Sequence, residues 1–339
     1  MKKYIIVLAF LIPLLFSGIA SAWGPATHTK ITNDLLNNPQ GNAILTLCSQ
    51  DQECWDAFMA GSEIPDITVV YYFESGGSKY RATHNWQFQQ DVFLQARNDR
   101  EKAFAYGIGQ HLISDSVAHQ EVVPNAIKDH GIPNWLLHPL LEQKYDSYLK
   151  QSNPELAEQS RHMFDAILYG PYGDRYIAMC QNALGDTIDV ESHAIKLAAA
   201  FDSFYNPDGG NYYPEDIGIF GLYPTISGIA DWLSPYTSIT DVDAIDNAYL
   251  KTLQQNKNIF NNWGARNALT PHGFDDLTEA EELGWAGIFS LLFLIYILMI
   301  FIVPIVSYLY FKKLITIPIT LAIMVVGLIT WFFIVYFSL

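Results

Sequence analysis

The sequence is poor in charge and in cysteine, and both shortages are unevenly spread. Only 16% of its 339 residues are charged, against 50% hydrophobic. No Asp or Glu precedes Asp34 or follows Glu282, and the first 22 and last 56 residues carry Lys2, Lys3, Lys312 and Lys313 as their only charges. Residues 23–283 therefore hold all 35 acids and 15 of the 19 bases, a net of −20. That excess opposes non-specific binding to nucleic-acid phosphate or anionic lipid, which depends on Lys and Arg neutralising phosphates. It leaves room for a phosphate ester held through metal ions, which bring their own charge. Three cysteines are too few for a disulfide scaffold. Cys48 and Cys54 are near enough in sequence to pair in an oxidising compartment, leaving Cys180 over; three separate buried thiols is the other reading. A sustained period-2 run of strand length is also missing, as is any internal repeat.

What is present begins with two kinds of apolar end. Lys2 and Lys3, the apolar stretch Tyr4–Phe16 and the A-x-A site Ala20-Ser21-Ala22 read as a secretory signal over residues 1–22. Cleavage there makes Trp23 the new N-terminus; an uncleaved signal anchor is the alternative. At the other end, Trp285–Phe311 and Leu314–Ser338 are uncharged, and each exceeds the about 20 residues needed to cross a bilayer core. They predict a transmembrane hairpin within residues 284–339. Lys312-Lys313 at its turn points to the cytoplasm, which puts residues 23–283 outside, as the signal also requires.

The body between these ends reads as mostly helical. Apolar residues recur at helical spacing over about 29–38, 99–122, 135–150, 154–168, 186–204 and 240–262. Asn98-Asp-Arg-Glu and Pro154-Glu are helix-start signals. Residues 205–238, rich in Gly, Pro, Tyr and Asp, read as a long loop.

The strongest local signal is His111-Leu-Ile-Ser-Asp115-Ser-Val-Ala-His119. At about 100° per residue these three side chains share one helix face but span about 12 Å along its axis. Zinc bonds are near 2 Å, so one ion cannot reach both ends, and the spacing suggests a multi-metal site. On the next predicted helix, His138-Pro-Leu-Leu-Glu142 repeats the i, i+4 pattern. Together with His119 it offers a His-His-Glu zinc shell. Upstream, Trp23-Gly-Pro-Ala-Thr-His28, Gly61-Ser-Glu-Ile-Pro-Asp66 and Ala82-Thr-His84 supply further oxygen and nitrogen ligands; each is a weak signal alone.

In this order, W…H…PD…H…HxxxDxxxH…HxxxE, the residues resemble the zinc-dependent phospholipase C family and, more distantly, the zinc-dependent single-strand nucleases. The resemblance covers residues 23–142. It implies an all-α, multi-helix domain with about three zinc ions in a cleft, to which the C-terminal two-helix hairpin is added. Carried over by position, Asp66, His84, His111 and Asp115 would bind one zinc of a close pair. Trp23, through its free amine and carbonyl, and His28 would bind the other, with Asp115 bridging. His119, His138 and Glu142 would hold the third. The three-residue gap between Asp115 and His119 is shorter than in the secreted bacterial phospholipases, and resembles the branch containing the glycosylphosphatidylinositol-specific phospholipases. The implied activity is hydrolysis of a phosphodiester, a phospholipid head group foremost, outside the cytoplasm and beside the membrane, with Asp66 orienting or deprotonating the attacking water. A nuclease or nucleotidase on the same metals, and a non-catalytic zinc-stabilised ectodomain, are the alternatives; the net charge disfavours a nucleic-acid partner.

Overall fold

The computed structural model describes residues 24–68, 82–122, 155–205 and 242–269, together with 145, 146, 148, 149, 152 and 153. The chain divides into two units, Met1–Ala280 and Glu281–Leu339, and every described residue belongs to the first. The expected signal, the loop 206–238 and the runs 285–311 and 314–338 lie outside the described residues, as do Trp23, His138 and Glu142.

Among the described residues the structure is helical throughout, without strands. In chain order the helices are α1 Pro25–Asn37, α2 Ala43–Cys48 and α3 Gln52–Glu63, which runs into a 3-10 turn at Ile64–Thr68. Then come α4 Trp86–Leu94 and α5 Asp99–Val117, which passes into a π turn at Ala118–Val122. The series closes with α6 Glu155–Leu168, α7 Gly173–Leu184, α8 Val190–Tyr205 and α9 Val242–Asn261. No helix of the described residues is long and apolar enough to cross a membrane.

Asn and Asp side chains start several of these helices. Asn42 accepts from the N–H groups of Ile44 and Leu45, Asp51 from Cys54, Asn85 from Phe88 and Asn98 from Glu101. Each satisfies first-turn donors that have no partner inside the helix. At α5 the Glu101 carboxylate also reaches back past the cap, accepting from the N–H of Arg97 at 2.9 Å. Asp51 also starts α3 beside the disulfide that the structure forms between Cys48 and Cys54. Cys180 is a buried free thiol.

The centre of the fold is α5, buried along its whole length from Ala103 to Val117 except at Tyr106. It lies against α3 more closely than helices bearing side chains can approach. A Cβ on Gly61 would stand 2.0 Å from the carbonyl oxygen of Phe104, and one on Gly107 would stand 2.0 Å from that of Phe58. Phe58 and Ala60 of α3 and Phe104, Ile108 and Leu112 of α5 are buried in the hydrophobic core. A helix buried on all sides has nowhere to solvate polar side chains, so those on α5 must meet partners. Gln110 does so with Thr32 and Ser114, and Ser114 in turn with Asn256. The remaining polar residues of this stretch include His111 and Asp115.

Candidate metal centre

Three segments bring their side chains to the buried end of α5. The first turn of α1 supplies His28. The 3-10 turn after α3 supplies Asp66, and the segment before α4 supplies His84. Thr83 ties the last two together: its hydroxyl donates to the Pro65 carbonyl at 2.7 Å and lies 2.6 Å from the Thr68 hydroxyl. His28, His84, His111 and Asp115 are wholly buried, His119 is 1% exposed and Asp66 is 3% exposed.

The carboxylate of Asp115 faces two ways. Its Oδ1 is 3.3 Å from Nε2 of His28, while its Oδ2 is 3.2 Å from Nε2 of His111 and 3.4 Å from Nε2 of His84. Oδ1 of Asp66 closes the group at 3.4 Å from Nε2 of His84 and 3.6 Å from Nε2 of His111. The rings of His28 and His111 stack at 4.0 Å between centroids, 9° from parallel.

The tautomers follow from the outer partners. Nδ1 of His111 is 2.7 Å from the Ser62 carbonyl, which can only accept, so Nδ1 carries the proton. Nδ1 of His84 lies 3.1 Å from the Thr83 hydroxyl, whose own proton goes to Pro65, so there too Nδ1 donates. Both Nε2 lone pairs are thereby turned inward, and they face each other at 3.3 Å. Two acceptors so placed repel unless a cation or a proton lies between them. Ligand atoms about 2.0–2.1 Å from a tetrahedral zinc stand about 3.3–3.4 Å from one another, and the nitrogen and oxygen separations here run from 3.2 to 3.6 Å. Among the described residues, two sets of side chains have their ligand atoms within 4.8 Å of one another: His28 with Asp66 and His111, and His84 with His111 and Asp115.

The electrostatics agree. Burial works against the charge of Asp115, yet the facing His111 and His28 hold its carboxyl well below the usual range. Burial first, then Asp66, Asp146 and Asp115, pushes the Glu63 carboxyl well above it. Burial raises Asp146 to about 7, although Thr27 and Ala26 donate to it. Four carboxyls buried this close together repel one another, and bound cations would offset that repulsion.

The structure therefore brings together five of the sequence-derived candidates: His28, Asp66, His84, His111 and Asp115. His119 lies one turn further along, where α5 has widened into the π turn. The π turn spans Ala118–Val122, and such turns recur at functional sites. Burial lowers the His119 pKa to about 4, with Asp115 acting against the shift, so the ring is neutral and able to ligate. Trp23, His138 and Glu142 are outside the described residues. Ser62 and Thr83, which hold the rings of His111 and His84, and the buried Glu63 are not among the sequence-derived site residues, although Ser62 and Glu63 lie inside the Gly61–Asp66 motif. Ser62 acts through its backbone carbonyl, which no side-chain pattern signals.

Residues 27–181 match the model of the family described as zinc dependent phospholipase C. No curated protein and no solved structure matches the chain.

Proposed function

For a chain that through residues 27–181 belongs to the zinc-dependent phospholipase C family, we propose a membrane-anchored hydrolase that cleaves a phosphodiester on the outer side of the membrane, most simply a phospholipid head group. The observation that carries this reading is the two-way carboxylate of Asp115, with His28 on one oxygen and His84 and His111 on the other. In this reading Asp66, His84, His111 and Asp115 would hold one zinc, and His28 with the amine and carbonyl of Trp23 would hold a second, with Asp115 common to both. His119, His138 and Glu142 would hold a third. When bound, such ions polarise phosphoryl oxygens and lower the pKa of water.

The protein's own groups supply the rest. The Ser62 carbonyl and the Thr83 hydroxyl fix the rings of His111 and His84, which keeps their Nε2 atoms turned inward. The burial of the cluster excludes bulk water and strengthens each electrostatic contact inside it. Asp66 would orient or deprotonate the attacking water.

The anchoring and the outward placement rest on the A-x-A site and the apolar runs 285–311 and 314–338, with Lys312-Lys313 at their turn. The Cys48–Cys54 disulfide supports the same placement, since such bonds persist in oxidising compartments.

The test is zinc content per chain, followed by chelator-sensitive hydrolysis of phosphatidylcholine, phosphatidylinositol and single-stranded DNA by the purified protein in detergent. At least about two zinc ions and preferential lipid turnover are expected. Preferential DNA cleavage would move the reading to a nuclease, and full zinc with no turnover would move it to a non-catalytic ectodomain.

A further inference from the structure

Helix α1 begins without a cap of its own. The residue before Pro25 is Gly24, which has no side chain to offer the first-turn N–H groups. Those donors are met from a distant part of the chain. Oδ2 of Asp146 accepts from the Ala26 N–H at 3.0 Å, and Oδ1 accepts from the Thr27 N–H at 3.0 Å and from the Thr27 hydroxyl at 2.7 Å. Asp146 is wholly buried. The fit leaves no room beside it, since a Cβ on Gly24 would stand 2.2 Å from Oδ2. Gly24 is therefore required sterically; its φ of −75° is open to any residue.

An ordinary N-cap comes from the residue next to the helix and fixes only that helix. This one comes from a residue 119 positions beyond Thr27, so it fixes where the first turn of α1 stands in the domain. His28 follows Thr27 in that turn, and its N–H bonds back to the Gly24 carbonyl at 3.1 Å. The ring of His28 reaches Asp115 and stacks on His111 only while that turn stays in place.

We propose that Asp146 is a positioning residue of the metal centre: by clamping Ala26 and Thr27 it holds His28 in place to bind its ion. The proposal rests on the zinc reading above and adds a residue to it. A carboxylate is needed because two oxygens meet three donors. An amide in its place turns an N–H₂ toward a donor, leaving one side of the clamp repulsive.

The experiment uses the full chain, stripped of metal and titrated with zinc against a chromophoric chelator, in Asp146→Asn, Thr27→Val, His28→Ala and the Asp146→Asn/His28→Ala double variant. Asp146→Asn is expected to weaken one ion by about 10- to 100-fold, the range for partners that orient metal ligands, and to leave the other ions unchanged. Thr27→Val, which removes one of the three donors, weakens the same ion by less and carries the test if Asp146→Asn does not fold. Once His28 is gone, Asp146→Asn should cost no further zinc affinity, although it still lowers the melting temperature. Wild-type zinc affinity in Asp146→Asn overturns the proposal. So does an equal weakening of every ion, or the same added loss with and without His28, because each describes a general loss of packing. A wild-type chain that takes up no zinc overturns this proposal and the proposed function together, whereas zinc uptake that is insensitive to Asp146 removes this proposal alone.

Discussion

The glycine contact between α3 and α5 makes a sharp prediction, because two effects of known size oppose each other there. Gly61→Ala adds a methyl group inside a helix, where alanine is intrinsically favoured over glycine by about 1 kcal/mol. That methyl carbon would stand 2.0 Å from the Phe104 carbonyl oxygen, about 1.4 Å short of ordinary contact. The obstacle is backbone, which cannot swing aside, so α3 and α5 have to move apart. Overpacking of this kind costs about 1–3 kcal/mol, and it exceeds the gain in helix propensity. The movement also reaches the metal centre. Ser62 is the next residue, and its carbonyl holds Nδ1 of His111 at 2.7 Å; a shift of about an ångström takes that bond outside hydrogen-bonding range. Urea unfolding of the metal-free variant should therefore show a lower midpoint with an unchanged slope. Zinc titration should show about 10- to 100-fold weaker binding. A Gly61→Ala protein as stable as wild type, with wild-type zinc affinity, would refute the close-contact argument.

Asp115→Asn should strip both ions of the pair and lower zinc content by about two per chain; loss of rate with full zinc retained would contradict the shared role of this carboxylate. Reduction of the Cys48–Cys54 bond opens a loop with a sequence separation of 6. It should cost about 2 kcal/mol of stability, read as the shift in urea midpoint with and without reductant. For Glu101, burial opposes the charged form, but the Arg175 side chain at 3.2 Å and the Arg97 N–H hold its carboxyl below the ordinary value. A depressed acid stabilises the fold above its unfolded pKa and loses that contribution as pH falls through the folded one. Glu101→Gln should thus lower stability at pH 7 by about 1–2 kcal/mol, and the difference from wild type should fade as pH falls below about 4; a pH-independent difference would refute it.

Much of the helical framework was visible in the residues. The spacing over 99–122 predicts the central helix, and the stretches 29–38, 154–168, 186–204 and 240–262 overlap α1, α6, α8 and α9. Helix α3 has no counterpart among the predicted stretches, although Asp51 marks its start; its second half, Ala57 through Glu63, is wholly buried. The widening of α5 into a π turn also leaves no pattern in sequence, since it changes the count of residues per turn without changing their types.

For the site, residue chemistry and spacing single out His111 and Asp115, because histidine and carboxylate at i, i+4 on a helix can share a cation wherever that helix lies; His28, Asp66 and His84 are weak signals alone and enter through the resemblance to the zinc-dependent phospholipase C family. They could not say which oxygen of Asp115 meets which ring, nor which nitrogen of each ring is free. Those depend on the Ser62 carbonyl and the Thr83 hydroxyl, brought in by packing across 49 residues in one case and by the turn beside His84 in the other. The clamp on α1 shows the division most plainly. The spacing over 29–38 predicts a helix but neither its start at Pro25 nor what caps it, and only the folded chain places Asp146 there. A local pattern specifies chemistry within a turn or two of helix; contacts between residues far apart in the chain exist only after the helices have packed.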